Sequence, residues 1–500
     1  MMTTKMLLST TVLFNFGAFY AGQVMAMEPT RDSPRARSAE AQPAEPGERD
    51  ASVEAARLGA TNRIIVRYRE GAPEVTPEMA SELAETFTEQ TGRTLTHLRT
   101  IGSTEDRDTQ VLVLEEPVSL EEANSIAASI AQDPNVLFAE PDAIMQIQQA
   151  DPRFGEQWHY TEPGVSINLP PAWELLEGNT NSIVVAVIDT GILRHEDIRP
   201  DLLQGFDFIG DIGTANDGDG RDADPSDPGD ACPPLRPVSS WHGLHVAGTI
   251  GAITRNATGV AGIATANILP VRVLGKCGGF LSDIADGMLW AAGLPVAGVP
   301  DNPNPADVLN LSLGGGGACG PTYADAIRRV RERGVTVVVA AGNSDSDASG
   351  FRPANCDGVV TVAATNREGG RAFFGRPGAG SNFGDSVEIA APGGETHADR
   401  ADGVLSTLNA GLTTPGDDDY EFYQGTSMAA PHAAGVIALL YQADSEMTPD
   451  QALSVLQETS QAFPLVTTRP CDTGTCGSGI LDAEAAVSAL LKKARSTAVQ

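Results

Sequence analysis

Positive charge is scarce in this sequence, and lysine is nearly absent. Lys and Arg together number 33 against 66 Asp and Glu, so the formal net charge is −33 and the sequence pI is near 4.4. The four lysines are Lys5, Lys276, Lys492 and Lys493. Because a protein binds nucleic acid or an anionic membrane by placing cationic side chains against phosphates, we expect neither as a partner. An acidic surface favours solubility in saline surroundings, although acidity is also common among exported bacterial proteins.

Long apolar runs are missing everywhere except at the N-terminus. There Lys5 precedes the largely apolar stretch 6–22, and Val24-Met25-Ala26 offers a small residue at a cleavage point. This pattern is typical of an export signal, which we assign to residues 1–26. No later stretch approaches the ~20 apolar residues of a membrane span, so we expect a secreted, extracellular protein. A retained membrane anchor is the alternative interpretation of the same run.

The six cysteines include no CxxC pair, and nothing in their spacing supports a zinc site. In an exported chain, six cysteines indicate disulfides, for which 15 pairings exist. Free or metal-bound thiols are the alternative. The pairing we favour is Cys232–Cys277, Cys319–Cys356 and Cys471–Cys476.

At 500 residues, the chain is long enough for two folded units. Residues 27–58 are rich in Ala, Pro, Glu and Arg without apolar periodicity, which indicates a linker. In residues 59–148, short strand patterns alternate with two helical ones, which predicts a small α+β domain of ferredoxin-like type. Ser119 is expected to cap the second helix, with Glu122 completing a capping box. The strand patterns are Arg63–Tyr68, Gln110–Leu114 and Asn135–Asp142, and the helical ones are Pro77–Gln90 and Ser119–Gln132.

Residues 149–490 have a different pattern, in which fully apolar strands alternate with helices, followed by a tail at 491–500. Such alternation predicts an α/β fold with a doubly wound, mostly parallel sheet, whose ligands lie at the carboxyl ends of the strands. The strand patterns are 182–188, 267–274, 307–313, 335–341, 358–364 and 387–390, and the helical ones are 243–253, 282–293, 321–333 and 428–443.

Three motifs fall where such a sheet would place an active site. Asp189 ends the apolar run 183–188, where a carboxylate is costly unless it has a partner; a turn-capping Asp is the alternative. His242 stands at a helix start before Gly243, whereas His245, one turn further on, is better explained as a packed histidine. A zinc site at these two histidines is disfavoured because the glutamate of an HExxH motif is missing.

The third motif is Gly425-Thr426-Ser427-Met428-Ala429-Ala430-Pro431-His432. Ser427 opens an apolar helix, so its backbone N–H points with the helix dipole towards a developing anion. An ordinary N-cap serine is the alternative. Together, in the order Asp, His, Ser, the three motifs resemble the signatures of the subtilisin-like serine proteases over residues 150–485. The resemblance implies that Asp189 orients His242, that His242 takes the proton of Ser427, and that Ser427 attacks the peptide carbonyl.

Further segments resemble the same family. Ala340-Ala341-Gly342-Asn343 is similar to the oxyanion segment, which implies that the Asn343 amide binds the tetrahedral oxyanion. Asn310–Gly315 and Lys276–Phe280 resemble the two strands between which an extended substrate lies. Leu244 departs from the family, which usually has threonine there, and we expect a local packing change without loss of activity. The expected substrate-binding residues are Gly278, Gly279, Phe280, Ser312, Leu313, Gly314, Ala341 and Gly342.

The resemblance also implies a precursor in which residues 59–148 are an inhibitory propeptide that templates folding. Processing is expected after Met145 and before Pro152, near Gln149-Ala150. An independent binding module is the alternative for this domain. The family context further implies a monomer acting on proteins and peptides, with its own propeptide as intramolecular inhibitor.

The segment 216–230 is dense in carboxylates on a Gly-bent backbone, which suits structural Ca²⁺. Its spacing is not that of an EF-hand, and a solvated acidic loop is the alternative. A second calcium site is implied by the resemblance at Asp197 and the turn 256–260. The expected ligands are Asp197, Asp217, Asp219, Asp222, Asp224, Asp227, Asp230, Asn256, Thr258 and Val260.

The sequence thus predicts a secreted serine endopeptidase that cleaves broadly after large apolar residues, since the pocket segments show no buried charge. Two other functions stay open. An esterase is disfavoured because Gly425-Thr426-Ser427-Met428-Ala429 is not GxSxG and the triad order differs from the α/β-hydrolases. A non-catalytic binding protein that keeps the fold is the third possibility.

Overall fold

The computed structural model describes residues 60–69, 84–89, 91–101, 109–142, 151–179, 181–198, 202–466 and 468–498. The chain divides into two compact units, with the boundary between residues 144 and 145. The expected export signal, linker and processing point all lie outside the described residues. Among the described helices, none combines the length and the apolarity needed to cross a bilayer.

The first unit is built on a four-stranded antiparallel sheet in the order β2-β3-β1-β4. Alternate residues of β1, namely Ile64, Val66 and Tyr68, are buried and pack in one core with Phe87 and Ile130. The α+β expectation for this unit therefore agrees with the structure. Its elements are β1 (Ala60–Tyr68), β2 (Leu95–Ile101), β3 (Thr109–Ser119), α1 (Leu120–Ile130), β4 (Val136–Pro141) and a helical segment at 84–89.

The N-terminus of α1 has one of the two hydrogen bonds of the expected capping box. The Ser119 hydroxyl accepts a hydrogen bond from the backbone N–H of Glu122 at 3.2 Å, as expected. The second hydrogen bond of the box, from the Ser119 N–H to the Glu122 carboxylate, was predicted wrongly, because that carboxylate instead forms an ion pair with Arg93.

The second unit contains a seven-stranded parallel sheet in the order β13-β12-β10-β8-β5-β7-β6. The six apolar runs of the sequence all form strands of this sheet, and the short β6 adds the edge. Two small two-stranded sheets lie outside it: the long-range pair β9 and β11, and the hairpin β14–β15. The strands are β5 (Ile183–Asp189), β6 (Phe206–Asp207), β7 (Ala266–Arg272), β8 (Val308–Leu311), β9 (Gly315–Gly316), β10 (Thr336–Ala340), β11 (Phe351–Arg352), β12 (Val360–Thr365), β13 (Ile389–Pro392), β14 (Val404–Asn409) and β15 (Asp418–Tyr423).

Helices cover both faces of this sheet, as the doubly wound prediction requires. The last helix continues through residue 490, so the chain has no structural break at the expected start of the tail, 491–500. The helices are α2 (Trp158–Thr161), α3 (Leu169–Leu175), α4 (Ile212–Ala215), α5 (His242–Gly251), α6 (Leu281–Ala291), α7 (Gly320–Arg331), α8 (Thr426–Ala443), α9 (Pro449–Thr459) and α10 (Ala483–Ala498).

The period-two pattern of β5 explains the two layers. Val185 and Val187 point into the core that contains α5 and α8, whereas Ala186 and Ile188 point into the core that contains α6 and α7. Successive side chains of a strand face opposite sides of the sheet, so a strand buried on both faces must be apolar throughout. The polar residue that follows, Asp189, then lies at the carboxyl end of the sheet.

Three disulfides close loops of the second unit. They join Cys232 to Cys277, Cys319 to Cys356 and Cys471 to Cys476, with Cα–Cα distances of 5.0, 5.0 and 5.4 Å. The favoured pairing is therefore confirmed.

Candidate active site

A cavity of about 690 Å³ opens at the carboxyl ends of the parallel strands. His242, Asn343 and Ser427 all line it. They come from three elements: the first residue of α5, the segment just after β10, and the second residue of α8. The sheet thus brings together His242 and Ser427, which are 185 positions apart in the sequence.

Asp189 lies beneath this cavity and is fully buried. Its Oδ1 is 2.8 Å and its Oδ2 3.0 Å from Nδ1 of His242, and Oδ1 also accepts the backbone N–H of Thr190. Burial by itself lowers the pKa of His242, but the Asp189 carboxylate and its hydrogen bond outweigh that effect and raise the pKa above its ordinary value. The carboxylate therefore fixes the imidazole ring and favours its protonated form.

Gly243 is required by the close approach of two backbones at this point. A Cβ on Gly243 would lie 2.3 Å from the carbonyl oxygen of Gly191, which is a severe clash. The backbone N–H of Gly243 donates to the Thr190 hydroxyl at 3.1 Å. Thr190 and Gly243 thus tie together the backbones that carry Asp189 and His242.

Ser427 is held by a reciprocal pair of hydrogen bonds with Ser312. The Ser427 hydroxyl donates to the Ser312 carbonyl at 3.1 Å, and the Ser312 hydroxyl donates to the Ser427 carbonyl at 2.8 Å. Among the described residues, no hydrogen bond joins Ser427 to His242. Catalytic hydrogen bonds are often long before substrate binds, so the hydroxyl is expected to turn to the imidazole in the complex.

Asn343 is oriented by Thr426, which precedes Ser427. The Asn343 Oδ1 accepts hydrogen bonds from both the backbone N–H and the hydroxyl of Thr426, each at 2.9 Å. The same hydroxyl accepts the N–H of Gly342 at 3.0 Å. Because the oxygen of the amide is engaged with Thr426, its NH₂ group is left for the cavity. Sequence reasoning missed this role of Thr426, although the residue lies inside the quoted motif.

Seven of the eight expected substrate-binding residues line the cavity, and Phe280 does not. Its side chain is 56% exposed, and it is the last residue before α6. Helix α6 therefore begins one residue too early for Phe280 to belong to the predicted pocket wall, residues 276–280. The seven lining residues are Gly278, Gly279, Ser312, Leu313, Gly314, Ala341 and Gly342.

His245 is buried behind the site, as a packed histidine should be. Its Nε2 donates to the carbonyls of Val404 and Glu421, and its ring stacks on Tyr423 with 4.5 Å between centroids. Burial lowers the pKa of His245 to about 3, so the ring is neutral. Leu244 is buried in the core with α8, which agrees with the packing role expected of it.

The structure brings together the residues expected to form a calcium site around Asp197. The Asp197 carboxylate accepts hydrogen bonds from Asn256 Nδ2 at 2.7 Å and from the Val260 N–H at 2.8 Å, while Asn256 Oδ1 accepts the Thr258 N–H. The residues expected as ligands thus satisfy one another. Burial, the largest effect, raises the pKa of Asp197 to about 6.

The carboxylates of the acidic loop 216–230 are dispersed in this structure. They do not point to a common centre. Most of them accept a hydrogen bond from the backbone N–H two residues later in the chain, and some form ion pairs with arginines. No group of three or more His, Cys, Asp or Glu side chains suited to a metal occurs in the described part of the chain. Structural calcium at either place stays a prediction. The contacts are Asp217 with Arg272 and with the N–H of Asp219, Asp222 with Asp224, Asp224 with Ser226, Asp227 with Gly229, and Asp230 with Arg236 and Ser240.

Comparison with known proteins agrees with this site. Residues 180–482 match the subtilase family. The chain is 47% identical over 381 residues to an extracellular protease of Xanthomonas campestris, a match that covers 74% of this chain and 62% of that protein. It is 40% identical over 457 residues to an extracellular basic protease of Dichelobacter nodosus, covering 86% of this chain and 70% of the relative.

A solved structure of a protease from Pseudoalteromonas arctica is also similar. It has 49% sequence identity and a TM-score of 0.64, and the match covers 69% of this chain and all of that one. The matched family region contains all three motifs and most of the second unit. The chain belongs to the subtilase family.

Proposed function

We propose that the chain is a secreted serine endopeptidase made as a precursor. The observation that carries this proposal is the hydrogen-bonded pair of Asp189 and His242 at a cavity lined by Ser427 and Asn343. A buried carboxylate, an imidazole, a hydroxyl and a free amide are the groups that acyl transfer needs. Relatives named as extracellular proteases support both the reaction and the location.

The reaction follows from these positions. Ser427 Oγ attacks the peptide carbonyl while its proton passes to Nε2 of His242, and Asp189 stabilises the imidazolium through Nδ1. The oxyanion forms opposite the Asn343 amide and the N–H of Ser427. His242 then gives its proton to the leaving amine, leaving an acyl group on Ser427. Water, deprotonated by His242, hydrolyses the ester and restores the enzyme.

We further propose that residues 59–148 are an inhibitory propeptide, removed near residues 149–150. A large parallel sheet has mainly non-local contacts and folds slowly, so a template domain has a physical purpose. The α+β sheet of the first unit supports this role. The mature enzyme is proposed to act as a monomer on proteins and peptides.

The pocket supports cleavage after large apolar residues. Leu313, Ala341, Phe351 and Ala354 contribute apolar surface to the cavity beside Ser427. Burial of a large side chain there would contribute about 1.5–3 kcal/mol, which favours Phe and Leu over small residues.

The test is hydrolysis of casein and of a small ester by the purified mature enzyme, with Ser427→Ala as the control. A fluorophosphonate probe should label Ser427 in the wild type and leave the variant unlabelled. Cleavage of both substrates supports the endopeptidase. Ester cleavage with intact casein would favour an esterase, and no cleavage or labelling at all would favour a non-catalytic protein.

A further inference from the structure

The paired strands β9 and β11 line one part of the substrate pocket. A Cβ placed on Gly314 would lie 3.1 Å from the backbone oxygen of Arg352, and one on Gly342 would lie 3.7 Å from the Phe351 ring. Gly314 and Gly342 both line the cavity, one after β8 and the other after β10. The two residues of β11 therefore lie next to both of these segments, at one end of the cavity.

Arg352 brings a positive charge to this end. It lines the cavity together with Tyr323, whose phenol it faces closely enough to oppose the rise in the Tyr323 pKa that burial causes. Its guanidinium lies beside Gly317, with Nε 3.6 Å from a Cβ built there. The side chain is half-buried, so the charge is partly removed from water.

Arg352 differs from Arg236, the other arginine of the cavity lining in the described structure. Arg236 is paired with Asp230 at 2.6 Å and its charge is thereby compensated. Arg352 forms no ion pair with any described residue. A half-buried guanidinium without a carboxylate is a ready partner for a carboxylate supplied by a ligand.

The glycine segment that contains β9 leaves space for such a ligand group. Gly314, Gly315, Gly316 and Gly317 are four consecutive glycines, and a Cβ on Gly315 or Gly316 would meet nothing within 4 Å. The disulfide Cys319–Cys356 joins the segment that follows β9 to the segment that follows β11. The space beside Arg352 is therefore open, and its boundary is fixed by a covalent link.

We propose that Arg352 is a specificity-determining residue that lets the pocket accept glutamate, in addition to large apolar residues, before the scissile bond. A glutamate has an aliphatic stem for the apolar walls and a carboxylate for the guanidinium. The same charge would reject Lys and Arg at this position. This inference rests on the proposed peptidase function and names a substrate class for it.

The test compares peptide substrates that differ only by Glu or Gln before the scissile bond, at about pH 8, where glutamate is ionised. The wild type should have a Glu:Gln ratio of kcat/KM above 1. Arg352→Gln should lower that ratio by about 10- to 150-fold, the range expected for one hydrogen bond to a charged group. Arg352→Lys should keep most of it. Arg328→Gln, on the exposed face of α7, removes the same charge outside the cavity and should leave the ratio unchanged.

A second measurement needs no variant. Raising salt to about 1 M shortens the screening length to about 3 Å, so the wild-type ratio should fall while hydrolysis of a Phe substrate stays measurable. Equal Glu:Gln ratios in wild type and Arg352→Gln, with the Phe substrate still cleaved, would overturn the role of Arg352 alone. If the wild type cleaves neither Phe nor Glu substrates, the proposed function itself fails.

Discussion

Replacing Thr426 by valine tests how the oxyanion amide is held. Valine keeps the shape of threonine and removes its hydroxyl, which is fully buried. Two hydrogen bonds disappear: the one from the hydroxyl to Asn343 Oδ1 and the one it accepts from the Gly342 N–H. The backbone N–H of residue 426 still donates to Asn343. The amide should therefore remain near its position but lose half of the support of its oxygen.

The magnitude follows from these contacts. Removing the asparagine amide altogether costs about 10²–10³ in turnover in subtilisin, so loosening it should cost less. We expect kcat to fall about 5- to 10-fold with KM unchanged, because the oxyanion exists only after attack. The Gly342 N–H loses its acceptor, and an unsatisfied group of this kind costs about 1–3 kcal/mol of folding free energy.

The assay is steady-state hydrolysis of a Phe peptide substrate together with denaturant unfolding of the purified mature enzyme. Thr426→Ser keeps the hydroxyl and is the matched control, expected to retain nearly full kcat. Asn343→Ala, which removes the amide, sets the lower bound of kcat for this series. If Thr426→Val has the same kcat as the wild type while Asn343→Ala is severely impaired, the hydroxyl does not orient the amide and this reasoning is refuted.

Two further predictions concern stability. Burial lowers the pKa of His432 to about 4, whereas the unfolded residue titrates near 6.5, so the free energy of unfolding falls as the pH drops below 6.5, by about 2 kcal/mol at pH 5. The free energy of unfolding should depend less on pH across that range in His432→Gln than in the wild type. An equal pH dependence in the two proteins would contradict this prediction. The Cys319–Cys356 disulfide spans 37 residues, whereas Cys471–Cys476 spans 5. Because a longer closed loop restricts the unfolded chain more, removing the first should lower the free energy of unfolding by about 2 kcal/mol more than removing the second. Calorimetry of the two double Cys→Ala variants tests this, and equal losses of stability would contradict it.

The strands and the site of the second unit could be predicted because their signals are local. A run such as 183–188 must be buried on both faces, and its end must place Asp189 at the edge where ligands bind. His242 and Ser427 each open a helix at that edge, so three short motifs suffice to define the site. Strand ends still shifted by one or two residues, as at Val387, where β13 begins only at Ile389.

The calcium prediction rested on the composition of the acidic loop and on family resemblance at Asp197, whereas the partners that the carboxylates have in the structure come from elsewhere in the chain. Asp217 pairs with Arg272, which lies 55 residues further along the chain, at the end of β7. Asp197 is satisfied by Asn256 and Val260, two of its own expected fellow ligands. A count of acidic residues carries no information on which cations and N–H groups the fold brings to them.

Arg352 was missed for a related reason. The pocket segments chosen from the sequence, around Ser312, Gly314 and Gly342, contain no charge. The strand pair that joins Arg352 to Gly315 adds to the pocket lining a segment outside those motifs. Long-range pairing of two-residue strands has no local periodicity by which it could be recognised.

The central claim is that this chain cuts its own precursor with Ser427. Full-length wild type and Ser427→Ala should be expressed side by side, and the N-terminus of each product sequenced. We expect a wild-type N-terminus at residues 146–151 and an unprocessed variant that retains residues 59–148. A variant that matures at the same bond as the wild type, or a wild type that remains a precursor, would contradict self-processing by Ser427.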